Sequence, residues 1–185
     1  MKKKYSLLIL LLLLGNIIYG HPHLFITPSI GIVKNENSLA GIQITWQWDK
    51  WFSEDIIMEC DTNYNGSLEK NEIKLVYDDF FVNIRDFGFF MILVINNKKY
   101  RIKSVTGFEA KINNDRTVTY DFIVPVNISL ESPVKVELYF DDTTLYTAFD
   151  KEILLDSGES CIFKNIKIGT YNYCGAEAVF EIHKN

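Results

Sequence analysis

One stretch near the middle of the chain decides how its neighbourhood folds, and its twelve residues read Asp61-Thr62-Asn63-Tyr64-Asn65-Gly66-Ser67-Leu68-Glu69-Lys70-Asn71-Glu72. Calcium takes roughly six to eight oxygen ligands, which a loop of about twelve residues supplies from alternate positions and from its last residue. Here those ligands are Asp61, Asn63, Asn65, the carbonyl of Ser67, Glu69 and, as the bidentate closing residue, Glu72. Gly66 stands where such a loop bends sharply, which glycine does at little cost. The spacing therefore predicts a calcium site.

The residues on both sides of this loop have helical spacing. Apolar side chains recur before it at Phe52, Ile56, Ile57 and Cys60, and after it at Ile73, Val76, Tyr77, Phe80, Phe81 and Ile84. Asp49 and Ser53 are both candidate N-caps for the first helix. We therefore expect a helix–loop–helix over about 50–86, with Leu68 turned inward, and over this segment the chain closely resembles the EF-hand family. An Asn-Gly hairpin turn is the alternative, but it leaves the positions of Asp61, Glu69 and Glu72 unexplained.

The ligand set predicts weak calcium binding. Asn63 and Asn65 are neutral, so only three of the ligand side chains are carboxylates, and fewer charges move the affinity toward the ~10⁻⁴–10⁻³ M of extracellular modules. We find one such loop, whereas calcium sensors usually pair two. The site is therefore expected to stabilise structure rather than to switch it.

Outside this segment the sequence alternates between apolar and polar residues, as half-buried strands do. The predicted strands, separated mainly by Asn-rich turns, cover 24–33, 42–48, 89–95, 100–105, 108–112, 117–124, 134–140, 162–168 and 178–183. The segment 146–155 is ambiguous. This pattern predicts a mostly β (α+β) fold, an antiparallel β-sandwich with the helix–loop–helix inserted between strands. No linker or repeat divides residues 21–185, so we expect a single domain.

The first twenty residues are predicted to be a signal peptide rather than part of the fold. Lys2, Lys3 and Lys4 precede an apolar run over 7–14, and Gly20 suits the position before a cleavage site. An uncleaved membrane anchor is the alternative. Cleavage implies a periplasmic or secreted protein with no direct membrane insertion afterwards.

The charge balance excludes one class of partner. The net charge of −5 becomes −8 after cleavage, because the signal peptide holds three lysines and no acidic residue. Such an acidic chain is a poor candidate for binding nucleic acid or an anionic membrane surface.

Three cysteines occur in the chain, and an exported protein normally pairs them. Cys161 and Cys174 are close in sequence and flank a strand with a turn, so we expect them to form a disulfide. Cys60 lies on the apolar side of the first helix and is interpreted as a buried free thiol. Pairing of Cys60 with either of the others is the alternative.

Cleavage after Gly20 would make His21-Pro22-His23 the new amino terminus. The α-amine and the imidazole of His21 can then chelate one ion, and His23 can add a third nitrogen. Nitrogen donors favour Zn²⁺, Ni²⁺, Co²⁺ or Cu²⁺ over calcium. Pro22 has no N–H, which excludes a clamp through a deprotonated backbone amide. The alternative is two surface histidines without a role; His183 is a possible further ligand but is more typical of a plain strand residue.

The order of these motifs is similar to that of a bacterial family. His21-Pro22-His23 followed by Leu24-Phe25-Ile26 resembles the mature start of uncharacterised proteins described as periplasmic components of ABC-type transport systems. Further matches along the chain are Trp46, Asp49, Phe52 and Ser53, the 61–72 loop, Asn83-Ile84, Phe89-Phe90, Asp142, Thr144, Ala148 and Phe149. Thr143 and Leu145 depart from that family's Pro and Tyr.

The resemblance implies an inner-membrane permease of the nickel/cobalt type as partner. We therefore expect an exported, non-catalytic accessory protein for zinc, nickel or cobalt uptake, stabilised by calcium. An extracellular calcium-stabilised binding or adhesion module is the alternative. An enzyme is not expected, because no Ser-His-Asp spacing, His-Glu-x-x-His or glycine-rich phosphate loop occurs.

Overall fold

A computed structural model of the chain describes residues 22–158 and 161–184. These residues are 52% strand and 20% helix, which confirms the mostly β class. The predicted signal peptide and His21 lie outside the described residues. The strands, in chain order, are β1 (Leu24–Asn35), β2 (Ser38–Trp48), β3 (Met91–Ile95), β4 (Lys98–Tyr100), β5 (Thr106–Ile112), β6 (Val118–Ser129), β7 (Val134–Phe140), β8 (Thr147–Phe149), β9 (Leu154–Asp156), β10 (Cys161–Tyr171) and β11 (Gly175–Lys184).

The strands form two sheets. The first has the order β5-β6-β2-β1-β8, with β9 also on β1, and the second has the order β10-β11-β7-β3-β4. Pairing is antiparallel except along β1, where β8 and β9 run parallel to it. The predicted antiparallel sandwich is therefore correct in class. The ambiguous segment 146–155 supplies the two short parallel strands, which local alternation cannot reveal because each has only three residues.

Aromatic rings join the two sheets in one core. Trp46 of β2 lies edge-on to Phe122 of β6 at 5.0 Å and to Phe149 of β8 at 5.9 Å. Phe149 in turn stacks on Phe140 of β7, in the second sheet, at 5.5 Å. Ring pairs at these separations add to the free energy gained from burying their area.

The helical insertion follows β2. Helix α1 (Lys50–Cys60) begins after Asp49, whose side chain accepts a hydrogen bond from the N–H of Phe52 at 3.0 Å. Asp49 is thus the N-cap, and the other candidate, Ser53, has a different role. The Ser53 hydroxyl oxygen accepts the N–H of Val118 at 2.8 Å and so ties α1 to β6.

The second predicted helix is not one regular helix. Helix α2 (Lys70–Leu75) continues as a π-helix (Val76–Phe81) and then as 3-10 turns (Val82–Phe90). The ring of Phe81 is fully buried and lies 4.5 Å from Phe108 and 5.0 Å from Phe122. The π-helical winding thus coincides with the burial of Phe81, and helical spacing alone does not specify it.

The insertion ends in a strained turn. Gly88, Phe89 and Phe90 have φ values of 64°, 54° and 52°. Left-handed conformations cost an L-residue roughly 1–2 kcal/mol each, so two consecutive phenylalanines there are unusual. Both rings are buried, which compensates for the strain and fixes the path of the chain into β3.

The predicted Cys161–Cys174 disulfide is wrong. All three cysteines are buried free thiols, as was expected only for Cys60. Strand β10 is longer than predicted: Cys161 pairs with Lys184 at one end, while Cys174 lies in the turn at the other end, next to the Tyr171–Gly175 pair. At about 3.3 Å per residue the two thiols are separated by roughly 30 Å. A disulfide requires Cα atoms within about 7 Å.

Candidate metal-binding loop and amino-terminal histidines

The predicted calcium ligands lie on the connection between α1 and α2. Helix α1 ends at Cys60 and α2 begins at Lys70, so the first and last ligands are carried on helix ends. Asp61 is 4% exposed and Glu72 is 0% exposed, whereas Asn63, Asn65, Ser67 and Glu69 are exposed. Leu68 packs against the hydrophobic core, as expected.

The front half of the loop is wound around the Asp61 carboxylate. Its Oδ1 accepts the N–H of Asn65 at 3.1 Å, and its Oδ2 accepts the N–H of Gly66 at 2.9 Å. The side-chain oxygens of Asn63 and Asn65 accept N–H groups two residues further on, at 3.0 and 2.8 Å. Gly66 has φ 78°, the left-handed value that its position in the motif requires. These hydrogen bonds fix the side-chain oxygens of Asp61, Asn63 and Asn65 against the backbone of the loop.

The back half of the loop is tied to Glu72. Its Oε1 accepts the N–H and hydroxyl of Thr62 at 2.9 and 2.8 Å and the N–H of Asn63 at 3.3 Å, and its Oε2 accepts the N–H of Glu69 at 2.9 Å. The hydrogen bonds from Glu69 and Thr62 lower the pKa of the Glu72 carboxyl. An ionised carboxylate therefore connects the two ends of the loop.

Glu69 also stabilises the start of α2. It forms a reciprocal capping box with Glu72 at the start of α2, and its Oε1 lies 3.2 Å from Nδ2 of Asn65. The side chain thus fixes the start of the helix and lies beside the side chain of Asn65.

The loop offers amide and carboxylate oxygens, which together suit a hard cation. Across residues 22–158 and 161–184, no three His, Cys, Asp or Glu side chains are gathered closely enough to hold a metal ion. Calcium in this loop would therefore depend on the amide oxygens of Asn63 and Asn65 as well as on carboxylates. Oxygen ligands of mixed charge are those that calcium accepts.

His23 lies at the start of β1, at one end of the first sheet. Its N–H donates to the carbonyl of Tyr146 at 2.8 Å, and its ring centroid is 5.1 Å from that of Tyr146. The loop that carries Tyr146 is organised by Asp142, which is 2% exposed and accepts the N–H of Thr144 and of Thr147, both at 2.9 Å. The chain next to His21 is thereby anchored. His21 itself lies outside the described residues.

A cavity of about 590 Å³ opens beside this end of β1. Pro22, Phe25, Thr170, Tyr173 and Cys174 are among its lining residues, and Phe25 and Tyr173 are exposed. Burial, followed by the nearby Asp141 and Asp142, raises the pKa of the Cys174 thiol. The thiol is therefore largely protonated at neutral pH.

His183 lies far from these groups. It is near the end of β11, with Nε2 3.2 Å from Oε2 of Glu181, whereas the start of that strand at Gly175 lines the cavity near Pro22. Eight strand residues span roughly 26 Å. His183 is thus a strand residue and not a ligand beside His23.

Sequence reasoning missed what Ser53 and Asp142 do. Both are buried polar side chains that accept backbone N–H groups: Ser53 accepts that of Val118, 65 residues away, and Asp142 accepts that of Thr147, five residues away. No local pattern reveals the bond from Ser53 to β6. The Asp-x-Thr spacing of Asp142 and Thr144 was a usable signal for a turn organised by a side chain.

The described helices include none with both the length and the apolarity needed to cross a bilayer.

The fold and the loop define a β-sandwich protein with a helical insertion whose connecting loop is rich in side chains that carry oxygen atoms. The chain belongs to the family described as "Protein of unknown function (DUF1007)", whose match covers residues 6–166.

One relative is the "Uncharacterized 15.5 kDa protein in trpE 3'region" of Spirochaeta aurantia. It is 30% identical over 92 residues, which cover 50% of this chain and 65% of the relative. The match thus spans less than two thirds of that protein.

Proposed function

We propose that this chain is an exported, non-catalytic metal-binding protein that serves transition-metal uptake. In this proposal the 61–72 loop holds calcium and stabilises the helical insertion. His21 and His23 bind zinc, nickel, cobalt or copper, which passes to an inner-membrane permease.

The arrangement of the 61–72 loop is the observation that carries the proposal. Its oxygen-bearing side chains at alternate positions are held by loop N–H groups, between a buried Asp61 and a buried Glu72. Between these buried ends, the exposed residues Asn63, Asn65 and Glu69 supply further side-chain oxygen atoms. These are the positions and donor types that an EF-hand uses.

The transition-metal part rests on the chemistry of the predicted mature terminus. An α-amine and an imidazole on one residue form a chelate that no internal histidine can reproduce, and nitrogen donors select the later transition metals. The backbone bond from His23 to Tyr146 supports this reading, because it anchors the chain two residues after the chelating residue.

The partner and the compartment rest on sequence resemblance. The His-Pro-His start and the order of motifs resemble periplasmic components of ABC-type transport systems, which implies export and a permease of the nickel/cobalt type. Two or three nitrogen ligands leave some coordination positions of the metal unfilled. Ligands of a receiving protein can occupy those positions, which favours release of the ion.

Thermal melts with calcium and with a chelator test the calcium part. Calcium should raise the melting temperature of the native chain, since ligand at a hundred times its dissociation constant stabilises by ~2.7 kcal/mol. Glu72→Gln should abolish the calcium-dependent rise, whereas the control Glu131→Gln, on an exposed loop residue outside the site, should retain it. A native chain whose melting temperature ignores calcium contradicts the proposal.

A further inference from the structure

A second cavity, of about 710 Å³, lies on the outer face of the second sheet at its β4 edge. Lys99 of β4 pairs with Val94 of β3, and Arg101, directly after β4, lines the cavity together with Ile92. The residues 85–88, at the end of the helical insertion, form the facing wall. The cavity therefore lies between two segments that are distant in sequence.

Positive charge is concentrated in this cavity. Its lining includes one acidic residue, Asp86, and four cationic residues, Arg85, Lys99, Arg101 and Lys103. Among the described residues no ion pair involves any of these four side chains. The whole chain, in contrast, has a net charge of −5. Like charges placed together without counter-charges repel one another, so an unpaired basic group in an acidic protein points to an anionic ligand.

The walls of the cavity are held in place. Nε of Arg85 donates to the carbonyl of Lys103 at 3.3 Å, which links the two walls. The consecutive left-handed residues Gly88, Phe89 and Phe90 turn the chain so that Phe87 lines the cavity while remaining 56% exposed. Backbone strain maintained by buried rings is frequent at binding sites. Lysines on an edge strand also protect against edge-to-edge association, but that role explains neither Arg85 nor the strained wall.

We propose that this cavity binds a small molecule carrying two or more carboxylate or phosphate groups. Lys and Arg side chains on both walls would donate charge-assisted hydrogen bonds to separate anionic groups, and the exposed ring of Phe87 would cover an apolar part of the ligand. The volume is that of a small-molecule site. This site is independent of the proposed metal sites.

Titration calorimetry of the full chain with citrate and with pyrophosphate tests the proposal. The buffer contains ~0.15 M NaCl, which screens exposed charges over distances beyond about 8 Å, and no divalent cations, so that neither probe acts by chelation. At least one probe should bind saturably with one site per chain. The stronger probe distinguishes a carboxylate ligand from a phosphate ligand.

The double variant Arg101→Gln/Lys103→Gln should weaken that binding at least about tenfold, since each lost contact is charge-assisted. Both side chains are exposed, and the Lys103 carbonyl that Arg85 uses is retained. The control Lys111→Gln/Lys164→Gln removes the same charge from exposed positions elsewhere and should change affinity less than about twofold. If both double variants weaken probe binding equally, the probe binds through general surface charge and the proposed site is wrong. Binding only to phosphatidylglycerol vesicles, with neither soluble probe bound, overturns it in favour of a membrane surface.

Discussion

Oε1 of Glu72 accepts hydrogen bonds from both the backbone N–H and the hydroxyl of Thr62, at 2.9 and 2.8 Å, although the two residues are ten positions apart. This relationship closes the 61–72 loop across its ends. Thr62→Val keeps the shape and the N–H but removes the hydroxyl, so we expect a loss of about 1 kcal/mol in unfolding free energy. Urea denaturation measures it. Thr62→Ser, which keeps the hydroxyl, should lose much less unfolding free energy. Equal losses in the two variants would show that the hydroxyl hydrogen bond does not contribute to stability.

The bend at Gly66 gives a second prediction. Its φ is 78°, and a Cβ there would meet no atom within 4 Å, so Gly66→Ala suffers from backbone strain alone. We expect a loss of roughly 1 kcal/mol. Gly169→Ala is the control, since the φ there is not left-handed and the added Cβ makes only ordinary contacts, the nearest at 3.5 Å. If denaturation curves give the two variants the same free energy of unfolding, Gly66 does not need its left-handed conformation.

The turn between β5 and β6 predicts a pH dependence. Thr117 donates its hydroxyl and N–H to Asp115, at 2.7 and 3.1 Å, and these bonds lower the pKa of Asp115 from its usual 3.8. A carboxylate whose pKa is lower in the folded state stabilises the fold above the unfolded value and loses that contribution as pH falls through the folded value.

Asp115→Asn should therefore be less stable than the native chain at pH 6, and the difference should shrink as pH falls below about 4. Denaturant titrations at several pH values measure it. If the difference in unfolding free energy between Asp115→Asn and the native chain stays constant down to pH 2, protonation of Asp115 does not contribute to the pH dependence of stability.

The cysteines give a prediction that opposes the disulfide expected from the sequence. Burial raises the pKa of the Cys60 thiol to about 11, and all three thiols are buried and free. At pH 8 the folded protein should react slowly with a thiol reagent, and in denaturant three thiols should react fast. Mass spectrometry of peptides from non-reduced protein is the second check. A linked peptide containing Cys161 and Cys174 would contradict the fold of the β10–β11 hairpin.

Most of the strands and the helix–loop–helix were predictable because their signals are local. The predicted strand at 100–105 is wrong, because β4 ends at Tyr100. Alternation from Ile42 to Trp48 marked a buried face, and the segment 134–140 matches β7 at both ends. Asp61, Gly66 and Glu72 placed the loop between the two helices. These features depend only on spacing along the chain.

Features that depend on tertiary contacts were missed. Helical spacing after Ile73 gave no sign of the π-helix, which accompanies burial of Phe81. The length of β10 separates Cys161 from Cys174, and only the register with β11 shows this. Lys99, Arg101 and Lys103 are neighbours in sequence, but only the tertiary structure brings Arg85 to the same cavity.

Titration of zinc or nickel into the chain that begins at His21, compared with the same chain carrying one added alanine before His21, measures whether the amino terminus chelates the ion. The added residue retains every side chain and the 61–72 loop but separates the α-amine from the His21 imidazole. We predict that the extended chain binds the ion as weakly as His21→Ala does, while calcium binding is unchanged in both. Equal affinity of the native and extended chains would contradict the terminal chelate.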